Sequence, residues 1–124
     1  MIELRHDTPS GNYHIRSYKP NEVLINDKTY HTSLIVSANT LIENWRPLSI
    51  DDLLAIDWEP VIALQPKIVL LGTGTKLFFP ATEFLAPLIE HKIGYEIMDT
   101  AAACRTFTIL MAEDRQVVAA LLLT

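Results

Sequence analysis

The residues best placed to do chemistry lie in Gly72-Thr73-Gly74-Thr75-Lys76, which follows the apolar run Ile68–Leu71 without a break. A buried parallel strand that runs into a glycine turn leaves backbone N–H groups free to face a ligand. In open α/β sheets, ligands sit at the carboxyl ends of the strands. Lys76 would supply the counter-charge to an anion cradled there. The stretch is not a Walker A loop. It also falls short of a GxGxxG fingerprint, because no third glycine follows at the required spacing and no helix opens at once. The plainer alternative is a tight strand exit in which glycine supplies the backbone angles.

A second group is Asp99, Cys104 and Arg105. Arg105 does not share a helical face with Asp99, so it must reach round or look toward the glycine turn. In the latter case glycine N–H groups and a guanidinium together suit a carboxylate or phosphate. Otherwise Asp99 caps a helix and Arg105 pairs at the surface. Cys104 lies past the strongest reach of the helix dipole, among alanines, which fits a buried structural thiol better than a nucleophile. His6, His14, His31 and His91 sit on different elements without i, i+4 spacing, so neither a metal site nor a cofactor is expected. The acidic pairs Asp51-Asp52 and Glu113-Asp114 diverge as neighbours do, and they read as solvated charge. Trp45 and Trp58 bracket the first helix. Indoles there fill a core edge or, when exposed, anchor a partner.

The elements that must position these residues follow from composition and periodicity. With 124 residues, 49% hydrophobic and 20% charged, the chain suits one folded domain spanning 1–124. A mean hydropathy of +0.20 is on the apolar side for this size. A protein partner or a second copy of the chain (a homodimer) is one way to cover such surface. The net charge of −5, with no basic cluster, excludes nucleic acid as an expected partner. No basic amphipathic segment points to a membrane surface, and the longest apolar run falls far short of the ~20 residues of a spanning helix. Met1–Asp7 lacks the features of a secretory signal, and one cysteine excludes an internal disulfide. A cytoplasmic setting is the expectation.

Before Asn44–Pro47 the pattern is β: Tyr13–Lys19, then Glu22–Asn26 and Thr29–Ser37 around a tight turn at Asn26-Asp27-Lys28. In the last of these, Tyr30, Thr32, Leu34 and Val36 share one face with His31, Ser33, Ile35 and Ser37 opposite, which predicts a half-exposed strand. After Pro47 the elements alternate. Ser49 predicts a short capped helix to Leu54, with Asp52 completing a capping box and Leu48 and Leu53 as its staple. A strand at Ile68–Leu71 precedes a helix within Thr82–Lys92, which Pro87 delays or kinks and Gly94 closes. Tyr95–Met98 is the next strand. Asp99 caps a helix to about Ala112, whose stripe Ala103, Phe107, Leu110 and Met111 faces a sheet. Val117–Leu123, apolar on both faces, belongs at the sheet centre.

Taken in order, several segments resemble a known family. These are the GTGT after a buried strand, Gly94-Tyr95-Glu96-Ile97-Met98-Asp99-Thr100, Ala102-Ala103-Cys104-Arg105-Thr106-Phe107, and Asp114-Arg115 ahead of Ala119-Ala120-Leu121. With Trp45-Arg46-Pro47 in the first half, they are similar to the Mth938-like family over nearly the whole chain. The chain departs from the family pattern at Thr108, where Asn is common after the helix aromatic, and at Asp114, where Gly often precedes the Arg. The resemblance implies a single α/β domain, an N-terminal β-hairpin followed by a mixed central sheet packed by helices. It implies no established enzymatic activity, and relatives that act in assembly or regulation. The expected function is therefore a non-catalytic binding or accessory protein, such as an assembly factor. The alternative is a binder of a small anionic ligand, or a weak enzyme, using the Gly72-Thr73-Gly74 turn and Arg105.

Overall fold

The first three strands, β1 (Ile15–Lys19), β2 (Glu22–Ile25) and β3 (Lys28–Tyr30), form an antiparallel meander in the computed structural model, which describes residues 12–124. Both connections are two-residue turns. Lys19 opposes Glu22 across Pro20-Asn21, and Ile25 opposes Lys28 across Asn26-Asp27. Asn21 and Asn26 take positive φ (67° and 54°), which asparagine tolerates better than most residues. The expected hairpin is thus the second half of a three-stranded sheet.

The chain then leaves that sheet for another. Strands β4 (Leu34–Val36) and β5 (Leu41–Glu43) begin a five-stranded sheet completed by β6 (Ile68–Gly72), β7 (Gly94–Met98) and β8 (Val117–Leu121), in the order β5-β4-β8-β6-β7. β6 runs parallel to β7 and β8, while β4 is antiparallel to β5 and β8, so the sheet is mixed. The crossovers carry helix α2 (Ala86–Glu90) between β6 and β7, and α3 (Thr100–Ala112) between β7 and β8. A third short helix, α1 (Glu59–Ile62), precedes β6.

Two cores follow from the two-residue period of the strands. Leu34, Val36, Leu70, Ala119 and Leu121 pack with α3 through Ala103, Phe107 and Met111, and with Val23 and Ile25 of the small sheet. Ile35, Val69, Leu71, Val118 and Ala120 face the other way, onto Trp45, Leu53, Trp58, Val61 and Leu88. Each large apolar side chain so buried contributes about 1.5–3 kcal/mol. The sheet is therefore a filling between two layers, and β8 at its centre is covered on both sides as its composition requires.

Three local expectations are corrected. β4 is buried on both faces, not half-exposed, because the chain changes sheets between Tyr30 and Leu34 and the alternation does not run through that change. Around Ser49 there is only a 3-10 turn, Ile50–Asp52. The Ser49 side chain caps nothing, and the Asp52 carboxylate instead accepts the Leu48 N–H at 3.1 Å. Leu48 is 60% exposed and so cannot be a staple for the buried Leu53. Finally, α2 is closed by Lys92 (φ 56°), not by Gly94, which starts β7. The Ile93 N–H reaches back to the Leu88 oxygen at 2.9 Å, and the Lys92 N–H bonds Ile89 at 3.0 Å, the paired bonds of a Schellman motif.

Candidate functional site

At the carboxyl end of β6, the glycines serve a close approach of helix to strand. A Cβ on Gly72 would lie 2.8 Å from Thr100 Oγ1, 3.0 Å from Thr100 Cα and 3.2 Å from Ala103 Cβ. Gly74 has φ +107°, and a Cβ there would fall 2.2 Å from the Thr124 backbone oxygen. Only glycine allows α3 to start against the strand and the tail after β8 to pass over the turn.

The polar groups of the turn are spent inside the fold. The Thr73 N–H donates to the Met98 oxygen at 2.9 Å, and the Gly74 N–H donates to Thr100 Oγ1 at 2.8 Å. The Gly72 and Gly74 oxygens accept from the N–H groups of Leu122 (3.0 Å) and Thr100 (2.9 Å). The fully buried Thr100 hydroxyl donates onward to the Leu122 oxygen at 2.6 Å. Thr73 Oγ1 donates to the Lys76 oxygen (2.6 Å) and accepts the Phe78 N–H (3.3 Å). The Thr100 hydroxyl therefore occupies the place an anion's oxygen would take. The expected cradle of Gly72, Thr73 and Gly74 is corrected to a strand–helix joint, with Thr75 and Lys76 exposed beyond it. Sequence reading missed Thr100, because nothing local marks a threonine as bridging β6 and β8.

Asp99 is the N-cap of α3, its carboxylate accepting the Ala102 N–H at 2.8 Å. Arg105 does not turn toward the glycines. It borders a groove of about 470 Å³ between α3 and β1, lined also by Arg16, Tyr18, Ala101, Cys104 and Ile109, and no residue of the glycine turn reaches it. Cys104 is buried in the floor of that groove, and burial pushes its thiol up to about 12 against a smaller opposing effect of Arg105. Such a thiol is not a nucleophile at neutral pH. A second, wider cavity of about 710 Å³ opens at the amino ends of β6 and β8, between the loops Ser37–Thr40, Leu64–Pro66 and Asp114–Gln116.

The tryptophans are the other correction. Trp45 (3% exposed) and Trp58 (0%) are both buried, ring centroids 5.4 Å apart and tilted by 52°. Their N–H groups donate to the oxygens of Asp57 and Phe84, each at 2.8 Å. They fill the core edge, so neither is a surface anchor. Arg46, between them in the chain, clamps the buried Asp57 carboxylate through Nε (2.6 Å) and Nη2 (2.8 Å), and it reaches Asp52 as well. The hydrogen bond to Asp57 holds the guanidinium well above its ordinary range, while the Leu48 N–H and then Arg46 hold the Asp52 carboxyl below its own. Trp45-Arg46-Pro47 is thus a structural latch between the β4–β5 hairpin and the 3-10 segments on that face.

Exposed apolar side chains lie between the two tryptophans in the chain, at Leu48, Leu54 and Ile56, and in the loop after the glycine turn. Leu77, Phe78 and Phe79, in the loop after the glycine turn, are 51%, 51% and 65% exposed. Exposed Leu48 is tied to the same end of the sheet, because the Thr124 hydroxyl donates to its oxygen. Among the described residues, no three His, Cys, Asp or Glu side chains gather as metal ligands. His6 and the Met1–Asp7 segment lie outside the described residues. Among those described, no helix is long and apolar enough to cross a membrane.

Residues 15–122 match the family described as Protein of unknown function (DUF498/DUF598). The chain belongs to that family. Over 120 residues it is 27% identical to the "13 kDa major membrane protein" of Francisella tularensis, covering 94% of this chain and 96% of the relative. It is 32% identical over 110 residues to "NADH dehydrogenase (ubiquinone) 1 alpha subcomplex assembly factor 3" of Danio rerio. That match covers 87% of this chain but 63% of the assembly factor, so the chain spans less than two thirds of that relative. Among solved structures, a Bordetella parapertussis protein superposes with a TM-score of 0.85 at 30% identity, over 92% of this chain and 98% of that one. A Bordetella pertussis Mth938-like domain gives 0.78 at 25% identity, over 90% and 85%. The fold is that of the Mth938-like α/β domains.

Proposed function

We propose that this DUF498/DUF598 protein is a non-catalytic accessory factor that works by binding another protein, in the manner of an assembly factor. The observation that carries this reading is the exposed Leu77-Phe78-Phe79 loop. Three consecutive apolar side chains stand in solvent on a loop anchored at both ends, by Thr73 at its base and by the Ala81–Leu85 turn beyond it. Surface of this kind marks interaction sites, and aromatic side chains dominate interface energetics. The name of the Danio rerio relative supports the same reading. The described titratable groups support it too: no nucleophile is paired with a base, and Cys104 is held as a thiol.

The test compares the native chain with Phe78→Ser/Phe79→Ser in affinity purification from the source cells, using quantitative mass spectrometry. A near-stoichiometric partner that is retained by the native chain and lost from the double variant, with unchanged circular dichroism, is the expected result. A partner set identical for both chains would overturn the role of the loop. Sedimentation of the purified chain separates self-association through the same surface from binding a different protein. The name of the Francisella relative gives peripheral contact with a bilayer as a second reading for this loop, and vesicle co-sedimentation tests it directly.

A further inference from the structure

The groove between β1 and α3 has a construction that neither the fold nor the accessory reading requires. In a regular strand, successive side chains point to opposite faces. Here four consecutive residues, Ile15 to Tyr18, all border one groove. The register breaks here: Ile15 opposes Ile25 and Ser17 opposes Leu24, so Arg16 is the extra residue of a β-bulge, and Arg16 and Ser17 are both exposed. Bulges re-aim a side chain, and they concentrate at sheet edges and beside binding sites. β1 is an edge strand, and Arg16, exposed at its bulge, borders the groove together with Arg105 of α3.

Two guanidiniums facing one concavity repel each other unless something negative joins them. Among the described residues, neither Arg16 nor Arg105 makes an ion pair, although the chain carries a net charge of −5 and has carboxylates to spare. Beneath them the walls are apolar: Ile15, Ala101, Cys104 and Ile109, the last 58% exposed. The hydroxyls of Ser17 and Thr108 also line the groove, and the Tyr18 hydroxyl lies buried behind its wall without a hydrogen-bond partner. Burial, with Cys104 and Asp99 nearby, raises its pKa and keeps it an O–H donor at neutral pH. A volume near 470 Å³ falls in the range of small-molecule sites, which pair apolar walls with a few convergent polar groups.

We propose that this groove binds a small amphipathic anion, with its negatively charged head between Arg16 and Arg105 and a short apolar tail over Ala101, Cys104 and Ile109. Head and tail are both required. The guanidiniums supply the forked donors that suit a carboxylate or phosphate. The tail covers wall that otherwise meets water. The site is independent of the Leu77–Phe79 loop, so either assignment can fail without the other.

The test is titration of the full chain with octanoate, 1-octanol and inorganic phosphate, followed by amide chemical shifts. Octanoate is expected to saturate with a Kd of about 1 mM or tighter, shifting amides of residues 15–18 and 101–109. Octanol, which lacks the charge, and phosphate, which lacks the tail, should each bind at least tenfold more weakly. Arg16→Gln/Arg105→Gln should weaken octanoate by at least tenfold with an unchanged unfolding midpoint, because both side chains are exposed. Thr108→Phe, which fills the groove from the exposed face of α3 and keeps both arginines, should abolish binding. Equal affinity for octanoate and octanol would overturn the anionic head, and equal affinity for octanoate and phosphate would overturn the tail. Octanoate shifts absent, or mapping away from β1 and α3, would overturn the site.

Discussion

The start and the middle of helix α3 treat polar groups in opposite ways. At its start, against the glycine turn, every turn N–H, carbonyl and hydroxyl described above has a partner, and no room is left for a methyl group on Gly72. Along its middle, beside β1, a tyrosine hydroxyl has none and two guanidiniums face a groove without a carboxylate. The first region looks like a ligand site in sequence and is closed in three dimensions. The second has no motif and is open. Glycines mark close approach of backbones, and whether the guest is a ligand or the protein's own helix is decided by what fills the space.

The largest effect should come from forcing the closed end apart. Gly72→Ala would put a methyl group 2.8 Å from Thr100 Oγ1 and 3.0 Å from its Cα, in a joint with backbone on both sides. A loss of about 3 kcal/mol is expected in urea unfolding, and a loss under about 0.5 kcal/mol would mean that the joint is loose. Thr100→Val keeps the shape and removes the hydroxyl, leaving the Gly74 N–H and the Leu122 oxygen without their partner. About 2 kcal/mol should be lost, and Thr100→Ser, which keeps both bonds, should recover most of it. If Val and Ser behave alike, the hydrogen bonds do not matter and the contrast between the two regions fails.

How much of this contrast was legible in sequence depends on how local each signal is. Strand β6 running into glycine, the Asp99 cap, the stripe Ala103-Phe107-Met111 and the central, doubly apolar β8 all followed from spacing within one element. The burial of β4 did not, because the chain crosses from one sheet to the other between Tyr30 and Leu34 and the alternation spans the crossing. Nor did the partners of Thr100, or Arg46 as the partner of Asp57, since one hydroxyl serving Gly74 and Leu122, and one carboxylate serving Arg46, join separate elements. The bulge at Arg16 depends on where β1 meets β2, which no single strand records. Asp114 shows the converse. At φ 58° it holds the left-handed position that ends α3, with the Arg115 N–H on the Leu110 oxygen at 3.0 Å, so a residue other than glycine closes the helix here.

Cys104 sharpens the comparison through pH. Its folded pKa of about 12 lies above the ordinary thiol value of roughly 8.5. Above that ordinary value the unfolded chain releases the proton while the native chain keeps it, so the native state binds more protons and stability falls as pH rises. The contribution is fully present below about pH 8 and is lost toward pH 12, by at most about 1.4 kcal/mol per pH unit. Unfolding midpoints measured from pH 8 to 10.5 should therefore fall more steeply for the native chain than for Cys104→Ala. Parallel slopes would show that solvent reaches the thiol through the groove.

The smallest effect separates the two regions most cleanly, because the same chemical change is made in each. Removing a hydroxyl at Thr100 breaks two hydrogen bonds. Removing one at Tyr18 breaks none, since that oxygen is buried without a partner. An unsatisfied buried hydroxyl costs free energy that a hydrogen atom in its place does not. Tyr18→Phe should therefore leave stability unchanged or raise it by up to about 1 kcal/mol. Should Tyr18→Phe instead destabilise the protein, the hydroxyl has a structural partner in solution, and the groove is closed in the same way as the glycine turn.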